Sequence, residues 1–169
     1  MKITTPFFND YLNKQSDLLN KIDQKDLLLA SNMISKIGKN KLILVGNGGS
    51  ASICSHMATD FAKVHNIRSL SFSSDSFLTC FANDYGYENW VARAIDFYAD
   101  EGDVLILISS SGSSENMLNA ADAARNNKMS SIITLSGFDS NNPLRSKGDI
   151  NLCVQSTPLL FRFMAVKSA

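Results

Sequence analysis

The sequence predicts an α/β fold built on a doubly wound parallel sheet with helices on both faces. Three observations carry the prediction. Short apolar runs bounded by turn residues recur along the chain, LILVG at Leu42–Gly46, DVLILIS at Asp103–Ser109 and SIITLSG at Ser131–Gly137, and continuous runs of this kind suit strands buried on both faces. The stretches between them repeat apolar residues at helical spacing. Two of the runs pass into Gly- and Ser-rich turns, NGGSAS at Asn47–Ser52 and SSSGSS at Ser109–Ser114, which is where open parallel sheets bind ligands.

The elements follow in order. Apolar residues from Phe7 to Ile37, among them Phe8, Tyr11, Leu12, Leu18, Leu19, Leu27, Leu28, Leu29, Met33 and Ile34, fit two amphipathic helices with a break near Lys21–Lys25, and Gly38 stops the second. The first strand, Leu42–Gly46, leads into a helix carrying Ile53, Met57 and Phe61, capped by Ser50 or Ser52 and ended by Asn66. Ser69–Phe72 reads as a weak second strand. Asp75–Asp84 reads as a short helix running into a polar turn at Asn83, Asp84 and Tyr85. Tyr87–Ala99 is helical in period, with Trp90, Ala94, Ile95 and Tyr98 as core candidates. Asp103–Ser109 is the strongest strand, and the helix behind it is capped by Ser113 or Ser114 with Glu115 in its first turn. Strands at Ser131–Gly137 and Asp149–Val154 complete the sheet.

A chain of 169 residues with 44% hydrophobic content is expected to form one domain over 1–169, with N-terminal helices at 1–38, the sheet and its helices at 39–154 and an atypical tail at 155–169. Its 16 basic residues balance 16 acidic ones, so composition points to neither a nucleic-acid surface nor a polyanionic tail. Cys54, Cys80 and Cys153 are widely spaced and odd in number, which argues against a disulfide framework or a zinc cluster and reads as reduced, mostly buried thiols. With no signal peptide and no run of about 18 apolar residues, a soluble cytoplasmic protein without a membrane partner is expected.

The two turns have matching chemistry. Gly48 and Gly49 can adopt positive φ and let the backbone approach a ligand. The hydroxyls and amides of Ser109–Ser114, at a helix N-terminus, suit a phosphate dianion without a lysine. Neither turn matches the P-loop or the GxGxxG dinucleotide fingerprint. His56 and Asp60 are four residues apart and share a helix face, as ligands to one divalent metal, as acid and base on one substrate, or as a solvated surface pair; zinc usually takes at least three protein ligands. His65 reads as a surface residue near a helix end. Asn83, Asp84 and Tyr85 fit a plain turn or a hydroxyl-binding edge.

GNGGSA followed by a histidine, FANDYGYEN, GDVLILISSSGSSEN and AARNNKMSSIITLSG occur in this order, and together they resemble the sugar isomerase (SIS) domain. More narrowly, they resemble the phosphoheptose isomerases, which convert sedoheptulose 7-phosphate to glycero-manno-heptose 7-phosphate in heptose supply for lipopolysaccharide or capsule. The resemblance runs from about Phe7 to Val154. It implies a flavodoxin-like sheet, N-terminal helices packing into a homotetramer, and sites at subunit boundaries. It also implies that Asn47, Gly48 and Gly49 contact the sugar with Ser50 in the same loop, that Ser109, Ser110, Ser111 and Ser114 hold the phosphate, and that Asn83 and Asp84 meet sugar hydroxyls. His56 would be a zinc ligand, and Asp60, usually a glutamate in the family, both ligand and acid/base.

Family members continue into a long helix whose Gln and His complete the metal site. Here the sequence after the last strand reads VQSTPLLFRFMAVKSA, with no histidine beyond His65 and with Gln155 too early to match. A divergent end, a truncation and a frame-shifted tail all fit. Two functional expectations follow: the isomerase, or a non-catalytic SIS module that binds a phosphosugar or a protein.

Overall fold

The computed structural model describes residues 5–156. Helices α1 (Thr5–Leu19) and α2 (Gln24–Ser35) precede strand β1 (Leu42–Gly46) and helix α3 (Gly49–His65). Strand β2 (Ser69–Ser71), helices α4 (Asp75–Tyr85) and α5 (Trp90–Tyr98), strand β3 (Val104–Ser109) and helix α6 (Glu115–Asn126) follow. Strand β4 (Ser131–Gly137), a short 3-10 helix at Pro143–Ser146 and strand β5 (Ile150–Val154) complete the order. The sheet is parallel throughout, with order β2-β1-β3-β4-β5. That is the expected doubly wound, flavodoxin-like arrangement, and its strand order reverses between β1 and β3.

Period-two alternation in the strands divides the core. Ile43, Val45, Leu105, Leu107 and Ile132 face α5 and α6, while Leu42, Leu44, Val104, Ile106, Ile133 and Ile150 face α2 and α3. Both sets are buried, which is why the strands read as unbroken apolar runs. No helix among the described residues is long and apolar enough to cross a membrane.

At the N-terminal ends of the strands, one carboxylate fastens the sheet. Asp103 is fully buried and accepts from the backbone amides of Lys41 at 2.9 Å and Asp100 at 2.8 Å, while Lys41 Nζ lies 2.6 Å from it. Burial is the largest influence on the Lys41 ammonium and pulls its pKa down, but hydrogen bonds to Asp100 and Asp103 outweigh it and hold the group above its ordinary value. The network ties the chain entering β1 to the chain entering β3.

Several expectations change in detail. Helix α3 is capped by the backbone at Gly48, with no side-chain hydrogen bond, and neither Ser50 nor Ser52 caps it. Gly48 takes φ 54 and ψ −122, whereas Gly49 is already helical. Asn83, Asp84 and Tyr85 are not a turn: they form the last turn of α4, because an exposed polar face does not interrupt a helix and the stop comes at Gly86 with φ 83. Tyr98 is half exposed. Of the cysteines, only Cys54 is buried, where burial pushes its thiol up to about 12; Cys80 lies on the outer face of α4 and Cys153 on edge strand β5. Asn66 ends α3 in the left-handed conformation, as expected. The tail expectation lies, from residue 157 on, outside the described residues.

Replacing Asp103 by alanine strands two backbone amides and removes one of the two carboxylates that hold the buried Lys41 ammonium. Urea denaturation is expected to show a stability loss on the order of 3 kcal/mol.

Candidate functional site

Both Gly/Ser turns emerge at the C-terminal ends of β1 and β3, side by side across the β1–β3 pairing that aligns Gly46 with Ile108. Asn47 follows β1, and Ser109 ends β3. Two side chains join the loops: Asn47 Nδ2 donates to Asn116 Oδ1 at 2.9 Å, and Asn116 Nδ2 donates back to Asn47 Oδ1 at 2.8 Å. Tyr87 adds its hydroxyl to the same Asn47 oxygen at 3.2 Å. Asn116 is buried at 2% exposure and Asn47 is half-buried, so this amide pair is partly shielded from water and fixes the distance between the loops.

The serine loop is braced from behind. Gly137 N donates to Ser110 O at 2.9 Å and Leu144 N donates to Gly112 O at 2.9 Å. Gly112 takes φ 63, and a Cβ there would collide with Asn142, whose amide is held by Ser136 Oγ at 3.0 Å and Asp139 O at 2.7 Å. Within the loop, Ser109 Oγ donates to Ser114 Oγ at 3.2 Å and Ser113 N donates to Ser111 Oγ at 3.3 Å. Ser114 occupies the N-cap of α6 without a side-chain cap bond, so the first amides of the helix are left uncapped by it.

A cavity of about 270 Å³ opens between the loops, lined by Asn47, Ser50, Ser109, Ser110, Ser111 and Ser114 together with Ile108 and Phe138. It has hydroxyls, a helix N-terminus and, among the described residues, no lysine or arginine on its wall, a lining that suits an anion through hydrogen bonds and the helix dipole. A second, larger cavity of about 660 Å³ shares Asn47 and continues along α3 past Gly48 to His56, with Trp90 and Tyr87 on its wall.

The sequence-derived residues are thus brought together unequally. Asn47, Ser50 and four serines of the second turn share one cavity, and Asn47, Gly48 and His56 share the next. Gly49 opens α3 between them. Asp60 stands one turn below His56, with Oδ2 at 3.2 Å from Nε2 and side-chain exposures of 52% and 79%, and does not line either cavity. Asn83 and Asp84 lie exposed on α4, bonded to each other at 2.8 Å, also outside both. Asn116 escapes the sequence reading, although a signal exists: Asn116, Ala120 and Ala124 are all buried at i, i+4, i+8, and a polar residue on that stripe asks for a partner.

Comparison with known proteins follows this geometry. Residues 10–137 match the family model of the SIS domain. The chain is 39% identical over 124 residues to a phosphoheptose isomerase of Roseiflexus sp. (strain RS-1), covering 69% of this chain and 61% of the relative. It is 33% identical over 136 residues to a phosphoheptose isomerase of Glaesserella parasuis, covering 78% and 68%. A solved phosphoheptose isomerase structure from Neisseria gonorrhoeae superposes with a TM-score of 0.78 at 25% identity, covering 89% of this chain and 83% of that one. Across the first curated relatives the match spans 50% to 64% of their length.

Changing Asn116 to alanine deprives Asn47 of its reciprocal partner inside the protein. The expected cost is about 2 kcal/mol in urea denaturation with an unchanged m-value.

Proposed function

This chain belongs to the SIS-domain family, where it groups with the phosphoheptose isomerases, and on that basis we propose that it converts D-sedoheptulose 7-phosphate to D-glycero-D-manno-heptose 7-phosphate. The observation that carries the reading is the neutral cavity of hydroxyls and helix amides at Ser109–Ser114, which adjoins, through Asn47, the cavity that reaches His56. The phosphate would sit against Ser109, Ser110, Ser111 and Ser114, held by charge-assisted hydrogen bonds. The carbon chain would run past Asn47, Gly48, Gly49 and Ser50 toward His56. Asn83 and Asp84 remain proposed sugar contacts, reached across a subunit boundary rather than within one chain.

The reaction moves one proton from C1 to C2 and one from O1 to O2 through an enediol, so it needs a positioned acid/base. His56 on the cavity wall and Asp60 behind it at 3.2 Å are the proposed pair, with Asp60 the base. The family resemblance adds zinc, with His56 and Asp60 as donors. Among the described residues no group of three His, Cys, Asp or Glu side chains could hold a metal, and two donors fall short of what zinc takes. The described residues do not fit the ion by themselves, and no step of the proposed reaction is routed through it.

A homo-oligomer, tetrameric as in the family, is part of the proposal. It is supported by the exposed Leu12, Leu19, Leu27, Leu28 and Leu29 on α1 and α2, an apolar face that calls for a partner. Work in the cytoplasm, supplying heptose for lipopolysaccharide or capsule, completes the reading. A second reading, a phosphosugar-binding module without catalysis, is favoured by one contrast: Ser109, Ser110, Ser111 and Ser114 are buried or half-buried while the His56/Asp60 pair stands exposed.

Incubation with sedoheptulose 7-phosphate, with and without zinc, followed by product analysis, separates the two. The aldose product is expected, and binding without turnover would leave the module. The Ser111→Ala/Ser114→Ala double variant is expected to bind sedoheptulose 7-phosphate at least tenfold more weakly while sedoheptulose itself is little affected. Equal losses would remove the phosphate from this loop.

A further inference from the structure

Trp90, the sole tryptophan of the chain, opens α5 and is 3% exposed. Its Nε1–H has no hydrogen-bond partner among the described residues. An indole nitrogen can only donate, and buried donors are so regularly satisfied that an orphan marks a group waiting for something. Trp90 lines the larger cavity, together with Asn47 and His56. The wall around it suits a neutral polyol: it carries the hydroxyls of Ser52, Ser55, Thr59 and Ser73 and the carboxylate of Asp75, with no lysine or arginine among the described residues. A second anionic group would meet Asp75 without a compensating cation.

We propose that Trp90 Nε1–H donates to a hydroxyl or carbonyl oxygen of the ligand's carbon chain, on the far side of Asn47 from the phosphate, and so favours long sugar phosphates over short ones. The inference rests on the phosphosugar reading of the serine cavity. The N–H is closed off from solvent, so the acceptor enters with a ligand that shifts the wall. Tyr87, 53% exposed and bonded to Asn47 at 3.2 Å, is the wall residue with room to move. A ligand that stops at the serine cavity does not reach the indole.

One tryptophan means one indole N–H signal in a proton–nitrogen correlation spectrum of the labelled wild-type protein. Inorganic phosphate is expected to shift the backbone amides of Ser111–Ser114 and to leave the indole signal in place. Sedoheptulose 7-phosphate is expected to shift both. If it moves the serine amides and leaves the indole unmoved, the proposal is overturned and the phosphosugar reading stands. If neither ligand moves the serine amides, that reading falls and takes the proposal with it. Trp90→Phe keeps an aromatic ring, smaller than the indole, and removes the donor. It is expected to raise the Kd for sedoheptulose 7-phosphate about tenfold with the Kd for inorganic phosphate unchanged, whereas equal changes in both would show a structural effect and overturn the donor role.

Discussion

The register between β1 and β3 is the constraint from which the rest of the site follows. It sets Leu42 against Val104 at one end and Gly46 against Ile108 at the other. A parallel ladder has no tight turn to fix its alignment, and a slip by one residue would turn every side chain to the opposite face. Polar groups hold it at both ends. Asp103 gathers Lys41 and Asp100 where the strands begin, and the Asn47–Asn116 amide pair closes the gap where they finish. Between these anchors, the strands contribute apolar packing on both faces and backbone hydrogen bonds, of which the latter are indifferent to register.

The sheet was legible in the sequence because each strand is an apolar run stopped by residues that cannot continue it. Leu42–Gly46 and Ser131–Gly137 fall at the expected bounds, and Asn66 ends α3 through a conformation that its short side chain tolerates. Where sequence and structure part at Asn83–Tyr85, local polarity mimics a break. Asn83, Asp84 and Tyr85 are polar or amphipathic and remain helical, since only Gly86 changes the backbone. The serines at 50 and 52 could each cap a helix, but Gly48 opens α3 with a backbone geometry that no other residue adopts readily.

The site was legible in its loops and opaque in its connections. Ser109, Ser110, Ser111 and Ser114 could be grouped by sequence because they are neighbours in it. Asn116 meets Asn47 across 69 positions, and nothing local announces that meeting beyond a polar residue on an apolar stripe. Gly112 belongs to the same class, since beyond its φ of 63 its lack of a side chain leaves the space that Asn142, distant in sequence, occupies. The His56/Asp60 spacing puts both on one helix face, yet spacing does not tell which of the two reaches a cavity wall.

Among the described residues no cationic side chain lines the serine cavity, and this has a kinetic consequence. The chain carries a formal net charge of +0, so an approaching dianion feels little pull before contact, and encounter proceeds without electrostatic acceleration. Ionic strength then has a weak hold on the arrival rate. For the proposed phosphosugar ligands, selection would then pass to residence time, with those whose oxygens find the fixed amides and hydroxyls leaving last.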